Sequence, residues 1–589
     1  MGFATRPTQR GRGGAVAAGH FLAAEIGARM LAEGGNAADA ACAMGFALEV
    51  LEPTQNGPCG ECPILVFEAA SGRAHAISGQ GPAPAAASIA AMRARGLELI
   101  PPDGLLAATV PAAIDAWCLL LERFGTRSFE EVVAPARDLA ARGFAMYPFL
   151  RGLLEFVAPR FEAEWPSSAA IYAPVPADGS PFANPDLAVC FDDLARAGRA
   201  AGGSREAGIR AARDRFHRGP AAERIEAFLR TPVRDASGRA HAGLLAAADL
   251  AAYAGSVEAP LHFDYRGARV WKCGPWSQGP VFLQQLALLA GFDLAAMGSG
   301  SADALHTWLE SAKLAFADRE ACYGDPRFAE VPIATLLSPA YNDARRRLVD
   351  PARASLALRP GLGRLPAGWP LVDPAFAVAS PAEPQALAAM QGRSDTTQCV
   401  AVDRHGNCVS ATPSGGWILT SPVVPGLGFP VGTRAQMFAL DPAHPNALAP
   451  GKRPRTTLSP SLARLPDGRL LAFGTPGGDQ QDQWTLQLFL SLVDFGAADL
   501  QAAIDLPTAH SQHAPSSFYP RQAQPGVVEA EERIAPEVLR DLETRGHRVR
   551  RVGAWSHGRV LAAAFDPATG ICEAAASPRF QVARAIALD

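Results

Sequence analysis

The sequence predicts an α+β protein. Three observations carry that expectation: apolar residues recur at helical spacing through the first two thirds, alternation with a period of two takes over after residue 395, and a Pro- and Ala-rich stretch separates the two regimes. The chain has 589 residues, 48% of them apolar and 19% charged, which is ample for a large core and excludes a disordered or collagen-like chain.

The elements follow in order. After His20, Leu22, Ile26 and Met30 share one helical face, Glu25 and Arg29 can pair at i, i+4, and Gly34-Gly35 supplies a stop. Asn36 then caps a second helix running to about Leu51. Residues 302 to 319 place Leu305, Trp308, Leu309, Ala312 and Phe316 on one face and end before the turn string YGDPRF. From Ala354 to Asp395, Pro360, Pro366, Pro370, Pro374, Pro381 and Pro384 interrupt any periodicity, as in an exposed connector. Beyond it, Cys399 to Asp403, the turn RHGN and Cys408 to Thr412 read as a β-hairpin. A strand near Leu470 to Phe473 runs into the turn GTPGGD, followed by a mostly apolar helix from about Gln480 to Gly496, which Asp479 is placed to cap. No repeat of roughly 20 to 50 residues is present.

Charge and cysteine usage narrow the function classes. Lys plus Arg number 54 against 58 Asp plus Glu, a net charge of -4, so nothing draws the chain to nucleic acid or to an anionic membrane. Ten cysteines, mostly isolated, do not form a disulfide scaffold and fit a reducing compartment. Arg6, Arg10 and Arg12 are followed by no apolar secretory core, and the apolar stretch Val281 to Met297 is broken by Gln284, Gln285 and Asp293. A cytoplasmic protein without a membrane span is the expectation.

Common catalytic strings are missing. There is no GxxxxGK[ST] and no HExxH, and GSGSAD at 298 to 303 lacks the third glycine of a dinucleotide loop. Pro275 stands where the PWSQG string around Ser277 would need glycine for a nucleophile elbow. His510 and His513 read as solvated loop histidines, and Cys59-Gly-Glu-Cys62 as packed thiols.

The positive signal is the junction Asp395-Thr396 at the opening of the hairpin. Cleavage there would give Thr396 a free α-amine of pKa near 8, able to take the proton of its own hydroxyl, so that one residue supplies nucleophile and base. By itself a Thr-Thr pair opening a strand reflects ordinary β-propensity.

The string Thr396-Thr-Gln-Cys-Val-Ala-Val-Asp403-Arg-His-Gly406-Asn407 resembles the segment that opens the small subunit of gamma-glutamyltransferases, which are self-processing N-terminal-nucleophile hydrolases. GAVAAGHFLAAEIGARMLAEGGNAADAA, GLLAAADLAAY, SAKLAFADREACYGDPRF, PGKRPRTTLSP and GTPGGD extend the resemblance over almost the whole chain. It implies a four-layer αββα sandwich, with a large chain of residues 1 to 395 and a small chain of residues 396 to 589 intertwined in one fold. It also implies cleavage between Asp395 and Thr396, Thr396 as nucleophile, Ser414 as the hydroxyl bonded to it, Gly477 and Gly478 as oxyanion-hole amides, and Thr456 and Thr457 as substrate contacts. No metal or organic cofactor is implied.

The departures concern the substrate. Gln80 stands where the family's arginine pairs with the glutamyl α-carboxylate, Phe438 where an aspartate meets the α-ammonium group, and Gly416 where an asparagine lies near the catalytic hydroxyl. Losing two charged contacts, each worth roughly 1.5 to 3 kcal/mol, argues against a glutamyl donor. The string GGDQQDQ is similar to a branch of the family that hydrolyses small amides such as oxamate. Arg455 is a candidate relocated cation, with a surface arginine as the plainer reading, and Trp417 with Phe438 a candidate apolar wall. The expectation is therefore a self-processing amidohydrolase acting on a small non-glutamyl amide, with water or an amine as acceptor. The alternatives are a working gamma-glutamyltransferase clamped by Arg434 or Arg455, and an unprocessed scaffold or binding protein; oligomeric state, homo-oligomers included, stays open.

Overall fold

The computed structural model describes residues 4–365, the backbone of 371–372, and residues 396–579 and 582–589. Two seven-stranded antiparallel sheets lie face to face. Their strands are β1 (Gln9–Gly11), β2 (Gly14–Ala18), β3 (Ile64–Glu68), β4 (Arg73–Ile77), β5 (Val257–Glu258), β6 (Leu261–Tyr265), β7 (Ala268–Lys272), β8 (Cys399–Asp403), β9 (Cys408–Ala411), β10 (Ser461–Arg464), β11 (Leu470–Gly474), β12 (Leu561–Asp566), β13 (Ile571–Ala576) and β14 (Arg584–Leu588). One sheet runs β1-β13-β12-β11-β10-β7-β6 and the other β14-β2-β8-β9-β3-β4-β5. Both sheets mix strands from either side of position 395, so neither half could close a sheet alone.

Alternation along β8 sets the layers. Val400 and Val402 point into the space between the sheets, where they meet Leu65, Leu462, Ala472 and Ala563. Cys399 and Ala401 point the other way, onto a helical layer that includes α1 (Phe21–Ala32) and α2 (Ala37–Leu51). The opposite sheet carries α3 (Pro280–Leu289), α4 (Ala302–Cys322) and α5 (Gln481–Val493), with Phe282, Trp308 and Phe489 packed on Val270, Leu471 and Phe473. The order is helix, sheet, sheet, helix. Each fully buried side chain of this kind contributes about 1.5–3 kcal/mol.

Local signals explain the elements that frame the site. Asn36 accepts the N–H of Ala38 and Asp39 at 3.0 and 3.1 Å while Asp39 accepts the N–H of Asn36 at 2.8 Å, a closed capping box worth about 1 kcal/mol. His20 Nδ1 caps α1 through the N–H of Leu22 at 3.2 Å. The hairpin forms as expected, with Cys399 opposite Ala411. Asp479 does not cap α5: its carboxylate binds the N–H and O–H of Ser517 at 2.8 and 2.6 Å and pairs with Arg319. From 366 to 395 the connector read over 354–395 lies outside the described residues, apart from Leu371–Val372, which pairs in parallel with Gln522–Ala523. Among the described residues no helix is long and apolar enough to cross a membrane.

Candidate active site

Thr396 enters the hairpin through a bridge to Ser414, and the N–H of Thr397 bonds the carbonyl of Pro413 at 3.1 Å. That pairing sets the two hydroxyls side by side, Thr396 Oγ1 and Ser414 Oγ being 3.1 Å apart and both residues fully buried. On its other side Ser414 is held by Glu61: the N–H of each reaches the carbonyl of the other, at 2.8 and 2.9 Å. Gly60 permits this approach, since a Cβ there would fall 2.1 Å from the Ser414 carbonyl. Arg434 completes the group. Its Nη2 donates to Ser414 Oγ at 2.7 Å, its Nε donates to the Glu61 carboxylate, and its guanidinium lies 4.7 Å from the Trp417 ring. Asp395 lies outside the described residues.

Gly477 and Gly478 follow the end of β11. A Cβ on Gly474 would fall 2.4 Å from the side chain of Gln398, so the ends of β11 and β8 touch, and Thr396 and the glycine pair occupy the same end of the sandwich. Both glycines have positive φ, 120° and 53°, and neither amide N–H donates a hydrogen bond to the described residues. A Cβ on Gly477 would sit 2.1 Å from the Trp484 ring. A cavity of about 630 Å³ reaches both glycines, Trp484 and Phe518, although Thr396 is not part of its lining.

The other residues named from the sequence are buried around this end. Thr456 is tied to the carbonyl of Trp276 at 2.9 Å through its N–H, while Thr457 Oγ1 makes no hydrogen bond among the described residues. Gln80 is fully buried, its Nε2 donating to the Gly81 carbonyl at 3.2 Å. Three expectations are corrected. Arg455 is no surface residue; it pairs with Glu320 at 3.0 Å and donates to Ser517 Oγ at 3.1 Å, because Thr456 draws the preceding residue into the interior. Trp417 and Phe438 do not form a common wall: Trp417 faces Phe518 at 6.4 Å, and Phe438 is enclosed by Ala83, Leu106 and Leu440. His510 and His513 are not solvated, since their string lies in and beside the strand Ala509–Ser511, which pairs with Val527–Glu531.

His510 instead meets Glu529 and His557, the three presenting ligand-type atoms within 4.8 Å of one another. Two of the three are engaged within the chain, since Arg550 donates to Glu529 at 2.8 Å and His510 Nε2 lies 3.0 Å from the Gln512 amide. Burial lowers the His510 pKa to about 3, leaving it neutral. Cys59 and Cys62 are free and buried, as expected of packed thiols, and burial pushes both thiols well up. Glu61 between them escaped the sequence reading; a carboxylate inside an otherwise apolar string that opens a strand demands a buried cation, and that was the available signal.

A fold of two helix-flanked antiparallel sheets, with a threonine and a serine hydroxyl meeting where a hairpin opens beside a glycine pair, defines an N-terminal-nucleophile hydrolase. The chain belongs to the gamma-glutamyltranspeptidase family, whose model matches residues 23–587. The acylase ACY 1 proenzyme of a Pseudomonas strain is 31% identical over 573 residues, covering 95% of this chain and 90% of that one. The oxamate amidohydrolase proenzyme of Klebsiella pneumoniae is 30% identical over 590 residues, covering 96% and 97%. Among solved structures, that of LmbA2991HD superposes with a TM-score of 0.94 at 46% identity, covering 100% of both chains.

Proposed function

We propose that this enzyme cleaves itself before Thr396 and then hydrolyses an amide whose acyl group is not γ-glutamyl, through an acyl ester on Thr396. The observation that carries the reading is the 3.1 Å contact between the Thr396 and Ser414 hydroxyls in a fully buried setting. The new α-amine of Thr396 takes the hydroxyl proton as Oγ1 attacks the amide carbon, and the developing oxyanion is met by the open N–H groups of Gly477 and Gly478. The amine then protonates the departing nitrogen, and water attacks the ester by the reverse proton path. Thr457 Oγ1, without a hydrogen-bond partner among the described residues, is available to the substrate.

The non-glutamyl donor is supported by the cations. Arg434 and Arg455, the two candidates for replacing the missing clamp, are each joined to a buried glutamate of the same chain. The relatives named an acylase and an oxamate amidohydrolase agree with a recognition site that varies around constant machinery.

Purified protein is incubated and its intact mass followed, with Thr396→Ala as control. Wild type should convert from 61.6 kDa to chains of about 41 and 20 kDa while the control stays whole. The matured protein is then assayed on acyl and γ-glutamyl p-nitroanilides. A wild type as inert as the control removes the mechanism; turnover fastest on the γ-glutamyl donor removes only the substrate reading.

A further inference from the structure

We propose that His510, Glu529 and His557 form a binding site for one divalent metal ion of the zinc class, with an open coordination position toward the cavity that reaches Gly477 and Gly478. The three lie on separate segments: His510 on the strand Ala509–Ser511, Glu529 on the strand Val527–Glu531, and His557 in the loop that leads to β12. Sequence spacing alone would pair His510 with His513. The fold instead turns His513 away, its Nδ1 accepting the N–H of Gly526 at 3.1 Å, and brings His557 in.

Glu529 Oε2 is the point on which the two rings converge. His557 Nε2 lies 3.1 Å from it and His510 Nε2 3.6 Å, and the ring centroids are 4.7 Å apart, edge to face. Ligand atoms about 2.0 to 2.1 Å from a tetrahedral zinc ion stand about 3.3 Å from one another, so the two separations bracket the edge of such a site. Although Glu529 Oε2 is so near, His557 Nε2 makes no hydrogen bond among the described residues. The carboxylate is divided between two tasks, Oε1 accepting from Arg550 at 2.8 Å while Oε2 faces the histidines. An outer partner of this kind fixes the rotation of a ligating carboxylate.

Two contacts oppose an ion. The Gln512 amide reaches His510 Nε2 at 3.0 Å, a neutral hydrogen bond whose loss shifts an equilibrium only about 2- to 10-fold. Arg550 brings a positive charge, but its side chain is 47% exposed, so water and salt screen it, and it also donates to Gln524 at 2.9 Å. Access is provided, because all three residues line the cavity of about 630 Å³, which leaves room for water as a fourth ligand. Trp484 stacks on His557 with ring centroids 5.7 Å apart and planes 18° from parallel, and a Cβ on Gly477 would meet the same Trp484 ring. An ion that pins His557 therefore braces the ring on which the glycine loop rests.

The test needs no substrate, so its outcome is independent of the role given to Thr396. Tag-free full-length protein, freed of metal by chelation, is titrated with zinc chloride by calorimetry and with cobalt(II) chloride by visible absorption, and it is melted with and without zinc. Wild type should take up one zinc per chain, give the intense absorption of a tetrahedral cobalt ion, and melt higher with zinc bound. His557→Gln and Glu529→Gln, each checked for folding by far-UV circular dichroism, should weaken zinc binding at least about 100-fold, since loss of an outer partner alone costs about 10- to 100-fold. Both should also lose the cobalt absorption and the melting shift, whereas His513→Gln should keep them. Anomalous diffraction at the zinc edge from crystals of the zinc-loaded protein should place the ion between the three side chains, a readout that requires no variant. Absence of stoichiometric zinc in wild type, unchanged binding in either folded ligand variant, only the weak absorption of six-coordinate cobalt, or an anomalous peak elsewhere would each overturn the proposal.

Discussion

Glu52 offers a quantitative check on the packing beneath the nucleophile strand. It ends α2, is fully buried, and lies against Thr397: a Cβ on Gly19 would fall 2.3 Å from Thr397 Oγ1 and 2.9 Å from Glu52 Oε2. Burial raises its pKa from 4.5 to about 7, against the opposing pull of the neighbouring Thr397 hydroxyl and of a hydrogen bond from Gln55 at 3.1 Å. A carboxyl displaced that far costs the folded state about 3 kcal/mol once it is ionised. The sign follows from which state ionises first. Below about pH 4 the carboxyl is protonated folded and unfolded, and Glu52→Gln should melt with wild type. Between about 4.5 and 7 the unfolded chain loses its proton first, so wild type falls progressively behind the variant; above 7 the deficit is complete. For a chain of 589 residues, 3 kcal/mol corresponds to roughly 2.5 °C in melting temperature. Both proteins are made in a Thr396→Ala background, which keeps each a single chain, and melted from pH 4 to 9. Parallel curves across that range, or a wild type that gains on the variant as pH rises, would refute the placement of a strained acid beside Thr397.

Two further perturbations address the glycine loop and its support. Gly477→Ala should lower kcat on an acyl anilide by about 10² to 10³, since a methyl 2.1 Å from the Trp484 ring forces the amide away from the forming oxyanion; turnover within about 3-fold of wild type would detach Gly477 from the reaction. Lys272→Met should cost about 3 to 5 kcal/mol in urea unfolding, because Asp482, bonded to Lys272 Nζ at 2.8 Å with both side chains fully buried, would be left as an unpaired charge at the start of α5. Replacing Asp482 as well, by leucine, should return most of that loss.

What could be read from the sequence was local. The capping box at Asn36, the hairpin from Cys399 and the extent of α4 each depend on residues within a few positions of one another, and the structure has them where the patterns put them, α4 running three residues further to Cys322. The meeting of Thr396 with Ser414 was accessible for the same reason: the hairpin that separates them is short. Resemblance, not periodicity, supplied the sheet-on-sheet architecture, because the order of fourteen strands drawn from both ends of the chain leaves no local trace. Two of the errors share a cause. His510, His513 and Arg455 were read by polarity as exposed, and all three are buried, His510 beside Glu529 and Arg455 against Glu320.

The same long-range pairing bears on what the enzyme accepts. A substrate carboxylate approaching Arg434 would have to displace Glu61 or the serine hydroxyl, and at Arg455 it would compete with Glu320. Breaking a buried ion pair typically costs about 3 to 5 kcal/mol, whereas a hydrogen bond to a charged group returns about 1.5 to 3. On the reading proposed above the balance is unfavourable at both positions, which argues against either arginine replacing the clamp expected where Gln80 and Phe438 stand. Under the same reading, a donor recognised by its shape and by neutral hydrogen bonds at Thr457 and Gln80 would avoid that penalty.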